Sequence, residues 1–86
     1  MDRLIIRSDL ATIYQHLYVY KDGKRVDTFG VLFEDLVETV LTCLEKYELT
    51  IIDLSGPQIY LEGIKKNIKE AIATKYNFPE ITFRYV

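Results

Sequence analysis

The hydrophobic positions of this chain change period along its length, and the changes mark its elements. Leu4, Ile5 and Ile6 form a short apolar run bracketed by Arg3 and Arg7, the pattern of a first strand, and Ser8-Asp9 breaks it. Two β-rich segments, 12–20 and 25–32, follow with alternating character, joined by Lys21-Asp22-Gly23-Lys24. Asp-Gly supplies the two positive-φ residues of a type I′ turn, so the pair is a hairpin. A two-residue loop sets the register by counting outward. Val19 is expected opposite Val26, Leu17 opposite Thr28 and Ile13 opposite Leu32, on the side that fits under helices. The other side is expected to pair Tyr20 with Arg25, Tyr18 with Asp27, His16 with Phe29 and Tyr14 with Val31.

The period then becomes helical. Phe33, Leu36, Val37, Val40, Leu41, Leu44 and Tyr47 recur at spacings of three and four, predicting a helix over 33–47 whose start is favoured by Glu34 and Asp35. Cys43 shares the row of Leu36, Val40 and Tyr47, the position of a buried, inert thiol. Leu49, Thr50, Ile51 and Ile52 suit a strand covered on both faces, and the apolar run stops at Ser55-Gly56-Pro57. A second helix is expected from 57 to 76. Ser55 is placed as its N-cap, Gln58 as the reciprocal capping residue, and Leu54 against Ile59 as a hydrophobic staple. Tyr60, Leu61, Ile64, Ile68, Ala71 and Ile72 form its core stripe, Gly63 suggests close approach to the sheet, and Asn77-Phe78-Pro79 ends it. Residues 80–86 close the chain as a strand, with Ile81, Phe83 and Tyr85 on one face and Thr82, Arg84 and Val86 on the other.

The order β-β-β-α-β-α-β over 86 residues predicts one α/β domain, residues 1–86, with a five-stranded mixed sheet. This order resembles the ribonuclease H-like fold shared with actin-like ATPases and resolvase-type nucleases; a plainer α+β sandwich is the other layout. The resemblance implies strand order 3-2-1-4-5, with both helices on one face. Nucleases of that kind hold paired metal ions with several carboxylates, one inside the first strand and one at the end of the fourth. Asp53 matches the second position, but residues 3–7 contain no acid, and Glu34 and Glu38 are explained as well by a solvated helix face. The glycine turns with which actin-like enzymes hold phosphate are also missing. Nuclease activity is therefore the third-ranked reading, and no metal or other cofactor is expected.

Composition narrows the rest. A net charge of −2 argues against tight sequence-independent binding of nucleic acid. The acids concentrate on the first helix and the lysines on the second, where Lys65, Lys66 and Lys69 are the candidate contacts for nucleic acid. Neither cluster is dense. One cysteine excludes an internal disulfide, and no apolar run reaches membrane-spanning length, so the reducing cytoplasm is the expected location. Seven tyrosines without tryptophan are the one compositional skew. With both helices on one face, Tyr14, His16, Tyr18, Tyr20 and Phe29 are expected on the uncovered side, a mixture typical of protein contact surfaces. The leading expectation is a non-catalytic module that binds another protein or forms a homodimer through this face. Its make-up resembles that of small accessory proteins of bacteriophages and mobile elements. A nucleic-acid-binding domain without a complete metal site is the alternative.

Overall fold

The Asp22-Gly23 turn forms as its sequence requires, with φ of 54° and 78°, and Lys21 pairs with Lys24 across it. From that hairpin the rest of the sheet is assembled, in a computed structural model that describes residues 1–9, 13–75 and 78–86. The elements are β1 (Arg3–Arg7), β2 (Tyr14–Lys21), β3 (Lys24–Leu32), a 3-10 turn (Phe33–Asp35), α1 (Leu36–Lys46), β4 (Ile51–Ser55), α2 (Gln58–Ala73) and β5 (Thr82–Tyr85). The sheet order is β3-β2-β1-β4-β5. β1 pairs antiparallel with β2 and parallel with β4, and β4 pairs parallel with β5. This is the five-stranded mixed sheet with two helices that the order of elements implies. Thr12, Tyr76 and Asn77, placed by the sequence at a strand start and a helix end, lie outside the described residues.

Both crossovers advance the same way along the sheet, and right-handed connections then put both helices on one face. Burial agrees. Leu4 and Ile6 of β1, Leu17 and Val19 of β2, and Ile52 and Leu54 of β4 are fully buried, and they join Leu36, Val40, Leu41, Cys43 and Leu44 of α1 and Leu61, Ile64 and Ile68 of α2 in a single cluster. Each Leu or Ile so enclosed contributes about 1.5–3 kcal/mol relative to exposure. Helix α1 ends with Glu48 at φ 54°, its N–H reaching the Glu45 carbonyl at 3.4 Å while the Leu49 N–H reaches that of Leu44 at 3.0 Å. This Schellman arrangement turns the chain sharply into β4 and seats Leu49 against the core without a glycine.

The hairpin departs from the expected register by one residue. Tyr20 still faces Arg25, but Val19 faces Asp27, Tyr18 faces Thr28, Leu17 faces Phe29 and His16 faces Gly30, because Val26 is extruded as a β-bulge. Without the bulge, Thr28 and Gly30 would lie under the helices and Phe29 and Val31 would face water. The extra residue exchanges these pairs, and Phe29 and Val31 pack against the core. Phe29 therefore does not belong to the uncovered face. Ile13, expected beneath the helices, precedes β2 and is 70 % exposed. Tyr60, expected on the core stripe of α2, is 47 % exposed.

The start of α2 also differs. Ser55 is the last residue of β4, where its carbonyl accepts the Ser8 N–H at 2.8 Å, and Pro57 stands at the N-cap. Gln58 turns to Glu62 at 2.8 Å, and Ile59 is 79 % exposed, so neither the capping box nor the staple forms. Gly56 is where glycine is needed. It has φ 138°, and a Cβ there would lie 2.4 Å from the Ser8 carbonyl oxygen. Gly63, by contrast, meets nothing within 4 Å of an added Cβ, so it does not mediate approach to the sheet.

Polar links tie the hairpin to α1. The Tyr47 hydroxyl donates to Asp27 at 2.6 Å, and the Lys21 ammonium donates to the Tyr47 carbonyl at 2.8 Å and pairs with Asp2. The Tyr47 hydrogen bond, followed by the Thr28 N–H, holds the Asp27 carboxyl below its ordinary value. Asp2 is lowered chiefly by the Asp22 N–H and then by Lys21.

Two glycine substitutions should have opposite effects in thermal denaturation. Gly56→Ala should destabilise by about 2–4 kcal/mol through backbone strain and the clash with Ser8. Gly63→Ala should stabilise by up to about 1 kcal/mol, because a helical glycine in open space gains from alanine.

Acid should weaken the fold through Asp27 and Asp2. Their folded values lie below the ordinary 3.8, so the unfolded chain binds more protons in that range. Their contribution is complete above that value and is lost as pH falls through the lowered ones. The urea midpoint should fall with pH in this window, and Asp27→Asn should flatten the decline.

Candidate binding face

Strand pairing fixes which side chains share the side of the sheet away from the helices. Across β3, β2, β1, β4 and β5, one row reads Arg25, Tyr20, Arg3, Ile51 and Thr82, and the next Thr28, Tyr18, Ile5, Asp53 and Arg84. Above them lie Gly30, His16, Arg7 and Ser55, and then Leu32 and Tyr14. All four arginines of the chain stand on this face. Its strand residues include one carboxylate, Asp53.

Asp53 organises the middle of the face. Its residue is 3 % exposed, yet its side chain is on the side without helices, covered by arginines rather than by apolar groups. Arg84 grips it in a bidentate pair, Nε to Oδ1 at 2.6 Å and Nη2 to Oδ2 at 2.9 Å, and Arg3 Nε lies 3.3 Å from Oδ2. The hydrogen bonds to Asp53 raise Arg84 further above its ordinary value. Arg3 also lies over the Tyr20 ring, 4.5 Å from its centroid, and Arg25 over Tyr18 at 5.6 Å. Charge pairs thus join β5, β4 and β1, and cation–π contacts join β1 to β2 and β3 to β2.

Of the five residues assigned to this face from the sequence, the structure brings together Tyr14, His16, Tyr18 and Tyr20 and removes Phe29 to the core side. Tyr14 is 47 % exposed, and the other three are half-buried. The lysines proposed for nucleic acid lie elsewhere. Lys65 and Lys69 on α2 sit 5.8 Å from the Phe83 ring centroid, on the helix side of β5, and Lys65 also lies 5.3 Å from that of Tyr85. Lys66 is exposed on the same helix. They do not extend the arginine face. The arginines themselves were missed, although Arg3 and Arg7 share the parity of Ile5 and Arg84 alternates with Phe83 and Tyr85.

The arrangement presents fixed guanidinium donors beside tyrosine rings. Both oxygens of Asp53 are committed to guanidinium groups, and among the described residues no group of three His, Cys, Asp or Glu could hold a metal ion. Cys43 is buried, and desolvation raises its thiol above the ordinary value, so little thiolate is present at neutral pH. A pocket of about 540 Å³ between Leu44, Leu49, Phe78 and Pro79 adds Thr50 and the exposed Glu45 and Glu48 to apolar walls. No described helix is long and apolar enough to cross a membrane. Compared with known proteins, the chain matches no family model, no curated protein and no solved structure at a significant level.

If Asp53 serves arginines and not a metal, the melting temperature should be unchanged by magnesium or manganese. Asp53→Ala should lower it by a few degrees, a modest loss because Arg3 and Arg84 stay in reach of water. A rise in melting temperature with manganese that Asp53→Ala abolishes would refute this assignment.

Proposed function

We propose that this protein is a small non-catalytic accessory module that acts by binding another protein through the open face of its sheet. The observation that supports this is the gathering of all four arginines with Tyr14, Tyr18 and Tyr20 on the sheet face that no described helix covers. Arginine and tyrosine dominate the energetics of protein contacts. Both bury large area with few lost rotamers when pre-packed, and both keep polar ends for specific hydrogen bonds. Charge favours a different partner over a second copy in face-to-face contact, because self-pairing would bring the arginines of two copies together. The single cysteine, buried and free, fits work in a reducing compartment such as the cytoplasm.

A photo-reactive phenylalanine analogue at Tyr18, and separately at Lys66 on α2, tests the surface in the native cell. A discrete protein adduct should form from position 18 and not from position 66, and Arg25→Ser should diminish it. Equal adducts from both positions, or adducts with nucleic acid alone, would overturn the reading.

A further inference from the structure

We infer that the open face receives an acidic stretch of polypeptide, and that Asp53 is a positioning residue that fixes Arg3 and Arg84 to meet its carboxylates. This rests on the reading of the face as a binding surface and deepens it.

The face is built from arginine without lysine. Of the lysines, Lys21 and Lys24 pair with one another at the hairpin end, where Lys21 turns toward α1, and Lys65 and Lys69 sit against β5 from the helix side. Guanidinium presents parallel N–H donors that match the two oxygens of a carboxylate, whereas ammonium acts as a point charge. One internal example is already in place. Arg84 and Asp53 form that bidentate pair at 2.6 and 2.9 Å within the face itself.

Asp53 occupies only part of each fork. Arg84 uses Nε and Nη2, and Arg3 directs Nε to Asp53 and Nη1 to the Met1 carbonyl at 3.4 Å while its plane rests on Tyr20. The remaining donors belong to guanidinium groups whose rotamers are already restricted by folding, so a ligand need not order them again. The side chains of Arg3 and Arg84 remain 27 % and 38 % exposed, enough to be met from outside. Arg7, exposed beyond this cluster, and Arg25, on the edge strand, extend the positive field on either side.

The same geometry weighs against a nucleic acid as occupant. Binding of single strands relies on bases stacking on open aromatic faces. Here guanidinium groups already lie over Tyr18 and Tyr20. Beyond the four arginines, the strand residues of this face include no lysine with which to follow a phosphate backbone. An acidic segment needs neither. Five strands about 4.8 Å apart make a face about 19 Å wide, which an extended segment of roughly six to eight residues can cross, with alternate side chains facing the sheet.

The test uses the intact protein and fluorescence anisotropy at low salt. The probes are a labelled peptide of about eight residues alternating glutamate and threonine, its glutamine counterpart, and an oligothymidylate of equal span. The glutamate peptide should bind at least about tenfold more tightly than the glutamine peptide and no more weakly than the oligonucleotide; Arg7→Ser and Arg25→Ser should each weaken it about three- to tenfold. Asp53→Asn separates positioning from charge. It makes the face more positive, so charge alone would strengthen binding, whereas positioning requires it to weaken by about three- to tenfold. Should Asp53→Asn melt below the working temperature, Arg84→Lys retains the charge, removes the fork and should weaken binding equally.

Equal affinity for the glutamate and glutamine peptides, or tighter binding of the oligonucleotide, would overturn the acidic partner. Tighter binding by Asp53→Asn, or unaltered binding by Arg84→Lys, would overturn the positioning role. Failure of the peptides with a persistent protein adduct at position 18 would remove only this inference. Loss of both would remove the binding surface itself.

Discussion

One sheet with a single covered face is the constraint from which the other features of this molecule follow. Helices α1 and α2 are both drawn to the side carrying Leu4, Ile6, Leu17, Val19, Ile52 and Leu54, because those residues lose most of their contact with water there. Among the described residues, the reverse side of the same strands has no helix against it. Its side chains must therefore tolerate water, cover one another, or meet something from outside. Arginine and tyrosine are suited to all three, since each lays an apolar body on the sheet and keeps a polar end free.

Asp53 shows how such a face can bury a charge. A carboxylate in a central strand, 3 % exposed, would be costly if it stood alone. It is tolerated because Arg84 from one neighbouring strand and Arg3 from the other bring guanidinium groups to both its oxygens. Those arginines are in turn held against the sheet, one of them on the ring of Tyr20. Buried acid, paired cations and flat aromatics thus form a connected layer that does for the open face part of what helices do for the other. The same pairing leaves neither oxygen of Asp53 without a guanidinium partner.

The bulge at Val26 decides the composition of both faces at the hairpin's outer edge. A perfect two-residue turn and an unbroken ladder would have sent Phe29 outward among the tyrosines. Burial of Phe29 and Val31 outweighs the hydrogen bonds disturbed by extruding one residue. Gly30 and Thr28 are left beside His16 and Tyr18, and Asp27 reaches the hydroxyl of Tyr47. The phase break was present in the sequence. Val26 and Phe29 are three residues apart, an odd spacing that cannot place both on one side of a regular strand.

Local pattern alone determined the number, type and order of the elements, the type I′ turn and most of the core, because periodicity and turn chemistry act between residues close in the chain. Leu61, Ile64 and Ile68 of α2 and the parity of Phe83 and Arg84 in β5 were legible in this way. Only the tertiary structure decided that Arg3, Arg7, Arg25 and Arg84 share one surface, since that depends on which strands are neighbours and in what register. Ser55 as strand end instead of helix cap, Gly56 against the Ser8 carbonyl, and Phe29 beneath the helices are decisions of the same kind. Each is settled by contacts between residues far apart in sequence, where burial and close approach outweigh local preference.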